Sequence, residues 1–304
     1  MLKPRFIIMF MILTGFISIF IGCERPIKKY HEGIYTMNLY SEFEYNLSDP
    51  DTVFYLPSFL NEISGLGLID DSRIAVIQDE RGKMYIVNLI TGLIDHEVLF
   101  GKNADYEGIE LVGNSVFVSK SNGDIYKFTY DPGKDEVESE VIKTPLKSRN
   151  DVEGLAFDKM NNRLLIACKG KGDVNDNGAK GKSIYAMDLT TSNFNVNPLY
   201  GFKKKDISAI IQTKYPDMKL SDNVDPSGIA VHPISGKIYI LAHSGKALVI
   251  LNTEGAIEEF YPLNPSLFQQ PEGICFNSNG DMFISNEVGM DRPNLLKFSY
   301  QNEN

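Results

Sequence analysis

The chain has 304 residues, with 30 Lys and Arg against 40 Asp and Glu, for a formal net charge of −10. That balance argues against nucleic-acid binding, which needs clustered positive charge; the one basic run, Lys203-Lys204-Lys205, reads as a solvated loop. Three cysteines do not make a disulfide-framed scaffold, and a chain of this length can bury an ample apolar core without one.

At the N-terminus, Lys3 and Arg5 precede an apolar run from Phe6 to Gly22 that meets Cys23. A basic start, an apolar stretch and small residues at its end predict an export signal over residues 1–22. Phe20-Ile21-Gly22-Cys23 resembles a bacterial lipobox, with Cys23 as the lipidated first residue and Phe20 where leucine is usual. The alternative is an uncleaved anchor, although the 17 residues of the run are barely enough to span a bilayer. Either way the remainder is expected to be exported and tethered to a bacterial cell membrane. Glu24 after Cys23 favours the outer one. Without Lys3 and Arg5, the only charges in residues 1–22, 28 basic and 40 acidic residues remain, a net −12. Residues 23–36 read as a polar tether and 37–304 as a single domain.

A five-fold echo runs through that domain: Glu62-Ile63-Ser64-Gly65, Glu107-Gly108-Ile109, Glu153-Gly154-Leu155, Ser227-Gly228-Ile229 and Glu272-Gly273-Ile274. The glycines are 43, 46, 74 and 45 residues apart. A period near 45 with about four short strands per unit is the mark of a β-propeller. In the first unit, strands are expected at 64–68, 73–78, 84–89 and 93–100, with turns at Asp70-Asp71 and Glu80-Arg81-Gly82. The third unit has a loose outer strand near 194–199. The fifth lacks an outer strand, and Met37–Leu47 is expected to supply it and close the ring. Five blades are favoured over six. The surplus in the 74-residue step contains no strand set, only a polar segment at 170–182 and a short helix capped by Asp206. Cys168 and Cys275 fall in apolar strands and are read as buried thiols.

The first strand of each propeller blade lines the channel, so Glu62, Glu107, Glu153 and Glu272 are expected around one mouth, with Ser227 in the fifth place. Lys120, Lys169, His243, Asn286 and Glu287 end the second strands on the same face, as do Asp79 and Glu80. Two like charges ~4 Å apart repel by about 4 kcal/mol at an effective dielectric of 20. Either a cation or basic neighbours would offset this. A calcium ion held by Glu62, Glu107, Glu153 and Glu272 is the sharper expectation, since hard oxygens suit it. A ring of salt bridges through Lys120 and Lys169 is the plainer one. Asp173–Gly178 resembles the start of a calcium loop but has Ile184 where the closing acid belongs. No nucleophile elbow, phosphate loop or zinc spacing is present, and His243 and Glu287 are the candidates for moving a proton.

Asp151–Asp158, with Gln270–Ile274 and the downstream Asn279–Glu287, resembles the SdiA-regulated family over roughly residues 40–300. The resemblance implies a propeller with a site at its channel mouth and implies no particular chemistry. The expected function is a tethered propeller that binds a small molecule or protein partner at the mouth, with calcium as cofactor. The alternative is a metal-dependent hydrolase of phosphate esters or lactones, with the cation activating water.

Overall fold

A computed structural model describes residues 37–40, 42–171, 173–174, 181–288 and 292–301. The expected export signal, Cys23 and the expected tether lie outside the described residues, as do residues 175–178 of the Asp173–Gly178 loop. Among the described residues, no helix is long and apolar enough to cross a membrane.

Among the described residues, twenty strands form five antiparallel four-stranded sheets, the blades of a propeller. The inner strands are Ile63–Asp70, Tyr106–Val112, Val152–Asp158, Asp225–Val231 and Pro271–Phe276, and each packs on the next, the last against the first. The glycine of each motif makes this packing possible. A Cβ on Gly108 would stand 2.7 Å from the Leu155 nitrogen, and one on Gly228 would stand 2.5 Å from the Glu272 carbonyl oxygen. Five apolar clusters fill the five inter-blade gaps, so most blade strands are buried on both faces.

The ring closes through an N-terminal strand, but the strand is Thr52–Tyr55 rather than Met37–Leu47. It pairs antiparallel with Asn294–Phe298, from Thr52 opposite Lys297 to Tyr55 opposite Asn294. β-Branched and aromatic residues favour the strand there, whereas Asn46, Ser48, Asp49 and Pro50 just before it favour turns. The aromatic stretch further upstream becomes a strap across blades four and five. The Tyr40 hydroxyl donates to the Pro262 carbonyl (2.7 Å), Phe43 stacks on Tyr261, and Tyr45 donates to the Gly280 carbonyl (2.6 Å). Buried His232 is structural, as its place before Pro233 suggests: its Nδ1 accepts the Ser235 amide and its Nε2 meets the Tyr45 hydroxyl at 2.8 Å.

The long step between the third and fourth motifs is an elaboration of blade three. That blade's outer strand is Tyr200–Phe202, later than expected, and Phe194 makes only an isolated bridge with Met187. The helix spans Lys204–Lys214 and buries Ile207 and Ile211 against blade four. Asp206 lies inside its first turn rather than at the cap, and its carboxylate accepts the Lys203 amide at 2.8 Å. Cys168 and Cys275 are free, buried thiols.

Candidate functional site

Every inner strand carries a bulge at its motif. The ladder skips the residue just before the glycine in blades one to four, and the irregularity in blade five spans the same position. That residue is Ser64, Glu107, Glu153, Ser227 and Glu272 in turn. The bulge removes it from regular pairing and re-aims its side chain. The first-blade counterpart of the three glutamates is therefore Ser64, and Glu62 stands two residues earlier and is exposed. The inner tier thus holds three acids and two serines. Both serines are engaged by backbone: Ser64 donates to the Tyr106 carbonyl and Ser227 to the Pro271 carbonyl, each at 2.7 Å.

Glu62 belongs to an outer tier, three residues before each glycine, with Asp105, Asp151, Asp225 and Gln270. The backbone carbonyls of Glu62, Asp105, Asp151 and Gln270 accept the amides of Asp79, Ser121, Lys169 and Glu287, which places these four side chains at matching stations around the mouth. Lys120 occupies the preceding station, opposite Tyr106 in the ladder, as Cys168 lies opposite Val152 and Asn286 opposite Pro271. Successive strand residues face opposite sides. Lys169 accordingly meets Glu153 at 2.8 Å, while Lys120 pairs with no carboxylate among the described residues. Asn286 is likewise turned into blade five, where its amide bonds the Leu267 carbonyl and Asn294.

The acids form one electrostatic neighbourhood. Glu107 is pushed up to about 10, first by burial, then by Glu153, Asp105 and Glu272. Glu153 rises to about 7 through burial, although Lys169 opposes the rise. Burial followed by the charges of Glu272, Glu62 and Asp79 lifts Glu287 to about 8, and Asp79 rises to about 6 by burial and the charge of Glu62. Glu272 accepts a bond from, or shares a proton with, His243 Nδ1 at 2.9 Å, and Gln270 donates to Glu287 at 2.6 Å. Glu107 has neither a hydrogen bond nor an ion pair among the described residues. The salt-bridge expectation thus holds for Glu153 and fails for Glu107.

Among the described residues, no three His, Cys, Asp or Glu side chains converge closely enough to hold a metal. Of the four expected ligands, Glu153 and Glu272 have basic partners, Lys169 and His243, and Glu62 stands outside the inner tier. The acids missing from the sequence-derived set are Asp105 and Asp151. Their signal was present in the Asp-x-Glu-Gly spacing of the second and third motifs.

The family model described as SdiA-regulated matches residues 55–297. No curated protein matches the chain. Among solved structures, Myxococcus xanthus glutaminyl cyclase is similar, with 12% identity, a TM-score of 0.56, and 83% of this chain and 96% of that one covered. The PQQ-bound aldose sugar dehydrogenase of Streptomyces coelicolor is 12% identical with a TM-score of 0.49, covering 83% of this chain and 99% of that one. At these identities the likeness is one of fold alone.

Proposed function

We propose a binding function for this chain, which belongs to the SdiA-regulated family: its channel mouth receives a small molecule bearing a guanidinium or amine group. The chain would be presented on the outside of a bacterial membrane by a lipid on Cys23. The observation that carries this reading is Glu107, a half-buried carboxyl raised by burial and by acids on several sides, with no ion pair of its own among the described residues. A cation entering there replaces repulsion with charge-assisted hydrogen bonds. The neighbouring Glu153 and Glu272 keep their own partners, Lys169 and His243, so the ligand is not needed to hold the mouth together. Hydrolysis would call on His243 or Glu287 to move a proton.

Because Glu107 holds its proton at neutral pH, the cation must displace it. Calorimetric titration with methylguanidinium, whose charge does not titrate in this range, tests the reading. Binding should be on the order of a hundredfold tighter at pH 9 than at pH 7, since two pH units below a value of about 10 change the ionised fraction of Glu107 by about that factor. Glu107→Gln should remove most of that gain, leaving the smaller part that comes from ionisation of Glu287, and calcium chloride run in parallel should give the weaker response. A pH-independent affinity that Glu107→Gln leaves unchanged, or a stronger response to calcium, would overturn it.

A further inference from the structure

The inner strands run from the motif mouth to the opposite end of the channel, where a cavity of about 660 Å³ opens. That volume falls within the range that holds small organic ligands. Its walls include Leu66, Leu68, Leu111, Phe157, Val231 and Phe276. Met160 and Ile234, which also line it, are 84% and 54% exposed, an unusual state for large apolar side chains at a concave rim.

One residue in this apolar space is out of pattern. Two positions after the motif glycines the five blades carry Gly67, Glu110, Ala156, Ala230 and Cys275. Four are small, and the fifth is a glutamate lining the cavity. Its two carboxyl oxygens accept the Leu111 amide at 2.8 Å and the Phe157 amide at 2.7 Å. Those bonds fix the carboxyl group's position and leave each oxygen further acceptor capacity. No basic side chain pairs with it among the described residues. Burial raises it to about 7 against the two amide bonds, so a cationic partner would hold it ionised. Small residues on the same tier leave room beside it, and Cys275, close enough to feel the Glu110 charge, is a deeply buried thiol unsuited to act as a nucleophile.

We infer that this far cavity is a second ligand site, which takes an elongated apolar molecule ending in an amine, with its apolar body on the leucine and phenylalanine walls and its amine on Glu110. The site is independent of the mouth and differs from it in needing an apolar body.

The test uses n-octylamine, n-octanol and octanoate as calorimetric probes of the folded protein. Octylamine should bind about tenfold more tightly than octanol, the difference a charge-assisted bond makes, and octanoate should not bind. Glu110→Gln should remove the preference for the amine. Because that variant also disturbs two backbone bonds, Leu68→Trp, in the wall contributed by the first blade, provides a second test. It should abolish octylamine binding and leave the methylguanidinium response of the mouth intact. Equal binding of octanoate, no heat from octylamine, or octylamine binding that survives Leu68→Trp would overturn the inference.

Discussion

Glu107 and Glu153 occupy equivalent bulges in adjacent blades, and they differ in what stands beside them. Lys169 reaches Glu153, whereas the neighbouring blade places Ser121 at that station, and Ser121 bonds Asp105. One residue of register thus decides which acid is neutralised. The consequence for stability has a definite sign. Glu107 has a folded-state value of about 10 against an ordinary 4.5. Between those limits the folded chain keeps a proton that the unfolded chain has lost. The stability this contributes is complete below about pH 4.5 and is lost as pH rises toward 10. The melting temperature should therefore fall by several degrees between pH 6 and 9.5, and Glu107→Gln, which carries no ionisable proton, should flatten that fall in thermal melts. An unchanged slope in the variant would show that Glu107 is solvated and ordinary. His232 acts in the opposite direction: burial lowers it to about 4, so its contribution is lost as pH falls below about 6.5.

The inner strand is the element on which everything else is hung, and its motif glycine permits backbones to meet at the axis. In Gly108→Ala the new Cβ would face backbone atoms at 2.7 and 2.8 Å, neither of which can move aside alone. Overpacking of this kind costs about 1–3 kcal/mol. Gly133→Ala has only the Asp131 carboxylate at 3.4 Å and should fall within about 0.5 kcal/mol of the parent. Denaturant unfolding of the two variants should separate them by that margin; equal midpoints would mean that the blades do not approach as described. The same physics made the fold legible in the sequence, since a glycine needed at every blade leaves a regular trace. Matching by residue type rather than by distance from the glycine is what put Glu62 in place of Ser64. The closing strand was misplaced for a related reason. Alternating apolar residues at Phe43, Tyr45 and Leu47 look like a strand, and only the tertiary partners of Tyr40, Phe43 and Tyr45, which are Pro262, Tyr261 and Gly280, reveal a strap.

At the scale of the whole molecule the channel has two ends with different chemistry. The mouth gathers acids from all five blades, with Lys169, His243 and Lys182 paired to Glu153, Glu272 and Asp225. The far end is a cavity with apolar walls and two carboxylates, of which Asp158 is paired with Arg163 and Glu110 has no ion pair among the described residues. A net charge of −10 means that the whole surface favours the approach of cations, and the concave mouth concentrates that field. What the sequence could not reveal is which acids lack a counter-ion, because that depends on the one-residue offset between Lys120 and Lys169. The convergence of acids on Glu107 is accessible to one direct measurement: titration of its side-chain carboxyl carbon by NMR, assigned with Glu107→Gln, with and without methylguanidinium. The account predicts a midpoint near 10 in the free protein that falls when the cation is added. A midpoint at the ordinary carboxylate value, unmoved by the cation, would contradict it.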